Sequence, residues 1–151
     1  MADEDFNSKD EEDPEREKLL KYYDAGRYLK ELRGERSLTE IGKRLGMSGN
    51  YVSSVEKGRL VPSDNYILLI ADYYGIDVDD LFIRWGKVPI LAREVVKNNE
   101  TLQKVLSEIA RDKRLTDDEK NDLYDEVYKT YQRYLKKKED LKGALDKVRG
   151  E

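Results

Sequence analysis

The 151-residue sequence contains no cysteine and no histidine. The first absence excludes disulfides and thiolate metal sites. The second removes the commonest general acid–base group, the commonest metal ligand and the usual switch near neutral pH. No glycine-rich phosphate loop, Ser/His/Asp set or pair of spaced carboxylates is present, so neither an enzyme nor a cofactor is expected. Asp77, Asp79 and Asp80 lack the glycine and the late glutamate of a calcium loop and read as helix capping, with no metal expected. No apolar run approaches the ~20 residues that cross a bilayer, and the acidic N-terminus is unlike a secretory signal. The expected compartment is the cytoplasm, with no membrane partner.

What the chain has in excess is charge. Asp, Glu, Lys and Arg make up 41% of it, well above the usual quarter or so, which suits helices with solvated faces. The net charge is −4, yet its distribution is uneven. Residues 1–20 carry −6, residues 21–62 carry +4, residues 63–85 carry −4 and residues 86–151 carry +2. The basic excess over 21–62 suits phosphate attraction.

Within that basic segment lies Ser37 to Gly58, which reads as two short helices joined by a tight turn. Ser37 caps the first, with Glu40 three residues on as the partner of a capping box. Ile41 and Leu45 face inward. Gly42 is small where the helices cross, Gly46 suits the left-handed position past a helix end, and Met47 plugs the turn. Ser48 caps a second helix that buries Val52 and Val55 and stops at Gly58. In such a pair the first helix holds the second, which is free to enter a DNA major groove.

Around this stretch the chain punctuates itself. Residues 1–18 are acidic and poor in apolar side chains and read as a disordered tail. A helix is expected over 17–34, interrupted near Asp24–Gly26, with Leu19, Leu20 and Tyr23 as one apolar cluster. Tyr28, Leu29 and Leu32 form the face packed on the motif. Pro62 and Ser63 open a helix over 64–74 whose apolar face is Ile67, Leu68, Ile70, Ala71 and Tyr74. Asp77 caps a fifth helix with Val78, Leu81 and Phe82 inward. Gly86–Pro89 reads as a boundary between a DNA-binding domain, 19–86, and a self-association region, 87–151. Beyond it, helices start near Ile90 and Leu102, and Thr116-x-x-Glu119 is a capping box that opens a long final helix. Tyr124, Tyr131, Lys138 and Leu145 recur every seven residues, as do Val127, Tyr134, Leu141 and Val148 three positions later. Together they form an apolar seam with one polar entry. The oligomerisation residues are therefore Tyr124, Val127, Tyr131, Tyr134, Leu141, Leu145 and Val148.

Residues 26–85 resemble the Cro/repressor (Xre-type) helix–turn–helix family. The resemblance is carried by 26–33 (GRYLKELR), 40–48 (EIGKRLGMS), 51–58 (YVSSVEKG), Pro62-Ser63 and 77–81 (DVDDL). It implies an all-α, five-helix repressor-type domain, here followed by a helical C-terminal oligomerisation region. Leu38 stands where the family often has a phosphate-binding Gln. The resemblance also implies that Glu56 pairs with an arginine of the first helix, Arg33.

The start of the second motif helix points into the groove, so Gly49, Asn50, Tyr51 and, one turn later, Ser54 are the expected base contacts. Ser48, Ser53, Lys43, Arg44, Lys57, Arg59 and Arg27 are the expected phosphate contacts. The expected function is a sequence-specific transcriptional regulator, a repressor in sign. It would act on double-stranded DNA as a dimer or higher homo-oligomer through residues 87–151, with a protein antirepressor as a further partner. The alternative is an antitoxin-like interaction subunit whose C-terminal helices bind a different protein.

Overall fold

The computed structural model describes residues 13–150. The described residues form eight helices and no strand: α1 (Pro14–Arg33), α2 (Leu38–Leu45), α3 (Gly49–Glu56), α4 (Asp64–Tyr74), α5 (Val78–Arg84), α6 (Ile90–Asn98), α7 (Glu100–Arg111) and α8 (Asp117–Arg149). They fall into two compact units, one ending at Val95 and the other starting at Val96.

The first unit is built on one core. Leu29 of α1, Ile41 and Leu45 of α2, and Val52 and Val55 of α3 meet Tyr66, Ile67 and Ile70 of α4 and Leu81 and Phe82 of α5. Trp85, just after α5, is 1% exposed and is the largest fully buried side chain. It stacks on Tyr22 of α1, ring centres 6.0 Å apart.

Local signals explain most of the helix ends. Asp13, Ser37, Ser48, Ser63 and Asp77 each accept a backbone N–H from the first turn of the helix that follows, satisfying one of its otherwise free donors. At Ser37 only one arm of the expected capping box forms, from Glu40 N to Ser37 Oγ at 3.1 Å. Thr116 and Glu119 make both arms. Gly58 ends α3 at φ 68°; Gly58 N donates to Val55 O and Arg59 N to Ser54 O, the paired bonds of a Schellman ending.

Several expectations change. The N-terminal tail was expected through residue 18; residues 1–12 lie outside the described residues, but 14–18 belong to α1, started by Asp13 and by Pro14 in the first turn where its missing N–H costs nothing. α1 is not interrupted at Asp24–Gly26. Gly26 instead makes room: a Cβ there would come within 2.5 Å of Glu56 O, so the glycine marks where α1 presses on the end of α3. Leu19, Leu20 and Tyr23 are exposed and form no buried cluster. In α4, Tyr66 takes the buried place assigned to Leu68, which is 42% exposed. Ile67, Ile70 and Ala71 are buried as expected and Tyr74 packs partly buried against the same core.

The boundary also moves. Ile90 packs against the core, and Lys87 and Arg93 reach back to Asp64 at the start of α4, at 2.6 Å and 2.8 Å. The Asp64 carboxyl is lowered to about 2 by the hydrogen bonds from Arg93 and then Lys87. Residues 87–93 thus belong with the first unit, and the expected break at Gly86–Pro89 does not divide the chain.

In the second unit, Asn99 caps α7 by accepting Leu102 N. The Gln103 side-chain amide donates to Val96 O and Lys97 O. Lys120 of α8 donates to Ala110 O at the end of α7. α8 runs 33 residues without a break.

Candidate nucleic-acid interface

The α2–turn–α3 pair is held from behind. A Cβ on Gly42 would collide with Met47 O, so the turn lies directly on α2. Ser48 Oγ accepts Tyr51 N at 3.1 Å, leaving its hydroxyl hydrogen free to donate outward. Val52 and Val55 fix the inner side of α3 at 1% and 0% exposure.

The far end of α3 is fixed by charge. Glu56, with only 8% of its surface exposed, receives Arg33 Nε at 2.8 Å and Arg33 Nη2 at 3.0 Å. This is the expected pair, and it is bidentate. Arg33 also donates to Arg36 O at 2.7 Å. The Glu56 hydrogen bond is the main cause of the raised Arg33 pKa. The acid of α3 is thereby paired inside the fold.

The remaining face of α3 is small and polar. Asn50 is exposed, and Gly49, Ser53 and Ser54 are partly exposed; among the described residues no hydrogen bond engages the Asn50 amide. A Cβ on Gly49 would find only ordinary contacts at 3.6 Å to Leu38 and Thr39.

Tyr51, partly exposed at the start of α3, also makes contacts within the fold. Its ring meets Tyr66 edge-on at 5.0 Å, and its hydroxyl accepts Ser63 N at 3.4 Å. Both contacts are to the start of α4 and the residue that caps it. The sequence signal, a tyrosine at a helix start, did not reveal a partner fifteen residues away.

Leu38 is partly buried against the core, so this position packs where a glutamine would reach outward. Of the expected cations, Lys43 and Arg44 lie in the last turn of α2, Lys57 caps the end of α3 and Arg59 follows it. Lys43, Arg44, Lys57 and Arg59 are exposed and make no ion pair among the described residues. Arg27 is engaged with Glu31 at 3.3 Å, both about two-thirds exposed, an arrangement of little net strength.

Arg27, Lys57 and Arg59 converge, together with Lys30, Glu31 and Tyr23, on a cleft of about 780 Å³ between α1 and the end of α3. Lys30 was absent from the sequence-derived set. Its spacing of three from Arg27, one helical turn, is the signal that places it on the same face.

The helix–turn–helix segment is similar to known proteins. A family described as a helix-turn-helix domain matches residues 24–81. A protein named as an uncharacterized HTH-type transcriptional regulator of Methanocaldococcus jannaschii is 36% identical over 64 residues, 42% of this chain and 86% of the relative. The ImmF control region 10 kDa protein of Bacillus phage phi105 is 40% identical over 58 residues, 37% of this chain and 64% of that protein. No solved structure matches at the same significance. The chain belongs to the helix–turn–helix family of DNA-binding transcriptional regulators, of the Cro/repressor type.

Proposed function

We propose that the protein is a sequence-specific repressor that reads a two-part operator as a dimer or higher homo-oligomer. The observation that carries this reading is the outer face of α3. It is small, polar and unengaged, while the opposite side is buried, and four exposed cations free of ion pairs among the described residues lie at the end of α2 and just past α3.

In this reading Asn50 bonds an adenine edge through its amide, Gly49 lets the backbone come close, and Ser54 bonds a second base edge. Ser48, Ser53 and the free N–H groups at the start of α3 take a phosphate. Lys43, Arg44, Lys57 and Arg59 hold the backbone on either side, and Arg27 and Lys30 extend the contact along the cleft. Tyr51 acts as a positioning residue that ties the start of α4 to α3.

One short helix makes few base contacts, so useful specificity calls for two copies. The exposed stripe on α8 supports pairing through the C-terminal unit. Half-sites would then lie about one DNA turn, ~34 Å, or a multiple of it apart. A gel shift with DNA from upstream of the protein's own gene tests the reading. Binding at least 10³-fold tighter than to random DNA is expected at physiological salt; equal binding to both would overturn it.

A further inference from the structure

The face of α8 that the heptad pattern singles out is open to solvent. Val127, Tyr131, Tyr134 and Leu141 are 58–64% exposed, Leu145 is 47% and Val148 is 87%. Tyr128 and Leu135, on one flank, are exposed as well. At roughly 200 Å² for a large side chain, the stripe offers on the order of 1,000 Å² per chain. A standard stable interface takes about 800 Å² from each partner. The face is therefore large enough for one stable partner helix.

We propose that the occupant is α8 of a second copy, running antiparallel, with the two-fold axis passing near Lys136. The inference rests on the self-association proposed above and adds its direction and register. An antiparallel seam sets each residue of one heptad series against the other series of the partner helix. Across an axis at 136, Tyr124 meets Val148, Val127 meets Leu145, Tyr131 meets Leu141 and Tyr134 meets Lys138. All eight seam positions are used and none is left over. Two of the layers set a bulky tyrosine against a smaller aliphatic side chain, which favours close packing without voids. The polar entry, Lys138, lies over the Tyr134 ring, where the ammonium is attracted to the aromatic face. Leu135 meets its own copy beside the axis and extends the apolar contact.

The parallel alternative is worse at each of these points. It stacks Lys138 on Lys138 inside the seam, where burying like charges is costly. It stacks tyrosine on tyrosine at 124, 131 and 134. It also aligns the acidic ends of the two helices: residues 117–126 carry six acids and one base, whereas 127–149 carry eight bases and three acids. Antiparallel pairing separates the two acidic ends and opposes the helix dipoles. One contact opposes the arrangement: Lys137 approaches its own copy near the axis. Its long stem lets the two ammonium groups part into solvent.

Because the chain has no cysteine, introduced thiols report the direction in the intact protein. Val127→Cys and Leu145→Cys alter exposed positions that the fold of the single chain does not use. A short bis-maleimide is applied to each variant alone and to an equimolar mixture, alongside sedimentation of the unmodified protein. Antiparallel pairing places 127 beside 145 of the partner, while like positions are 18 residues apart, roughly 27 Å along the helix. The expected result is a dimeric mass and a cross-linked dimer in the mixture, with none from either variant alone. Cross-linking of each variant to itself overturns the direction while leaving self-association intact. A dimeric mass with no cross-link in any sample overturns the register. A monomeric mass at micromolar concentration overturns both the inference and the self-association it rests on.

Discussion

At Asn50 and Glu56 two polar side chains on the same helix have opposite surroundings, and their substitutions should fail in different assays. Asn50 is exposed and unengaged, so Asn50→Ala should leave the melting temperature within about 2 °C, since surface changes of this kind stay within ±0.5 kcal/mol. It should cost roughly 1–3 kcal/mol of discrimination at one operator position. Glu56 is buried on Arg33. Glu56→Ala strands that guanidinium and should destabilise the domain by about 3 kcal/mol, read as a lowered thermal midpoint; an unchanged midpoint contradicts the structural role. Lys57→Ala should weaken all DNA sequences alike and reduce the slope of log K against log salt by about 1. The Arg33–Glu56 pair was legible in advance only through the family resemblance, since nothing local to either residue names its partner. Tyr51 shows the same limit: nothing local to it names its contacts with Tyr66 and Ser63.

Elements were legible where their signals are short-range. Serine and aspartate caps, the glycines at 42, 46 and 58, and the 3.6-residue apolar rhythm all act within one or two turns, and the helix order follows from them. Tertiary choices were not legible. Whether α4 buries Leu68 or Tyr66 is decided by how it rotates against α3 and α5. Gly26 looks like a helix break until the approach of α3 is known. The return of Lys87 and Arg93 to Asp64 spans more than twenty residues. This last contact carries a pH prediction. The folded Asp64 pKa of about 2 lies below its ordinary 3.8. The contribution is therefore complete above about pH 4 and disappears as pH falls through 2. Asp64→Asn should melt below the wild type at neutral pH, and the gap should close toward pH 2; a constant gap contradicts the contact. In α8, Gly143 has nothing within 4 Å of a Cβ position and lies on the outer side of the seam. Gly143→Ala should stabilise the helix there by roughly 1 kcal/mol, seen as slower amide exchange over residues 140–147. Faster exchange contradicts an uninterrupted exposed helix.

For the molecule as a whole, the two units differ in what they bury and what they expose. Residues 13–95 hold one core and carry α3. Residues from Val96 carry little buried surface and a long open stripe. The charge distribution fits that division. The basic excess of residues 21–62 falls on the segment that contains α3, within a chain of net charge −4, so the proposed DNA binding should fall steeply with salt. The proposed reading of sequence by α3 is tested most directly by selection of binding sites from random DNA. The selection is done in parallel with the full-length protein and with Asn50→Ala. The predicted result is a two-part site for the wild type, with the variant selecting the same site except for relaxed preference at one position in each half. Identical selected sites for both proteins, or no enrichment over random DNA, would contradict it.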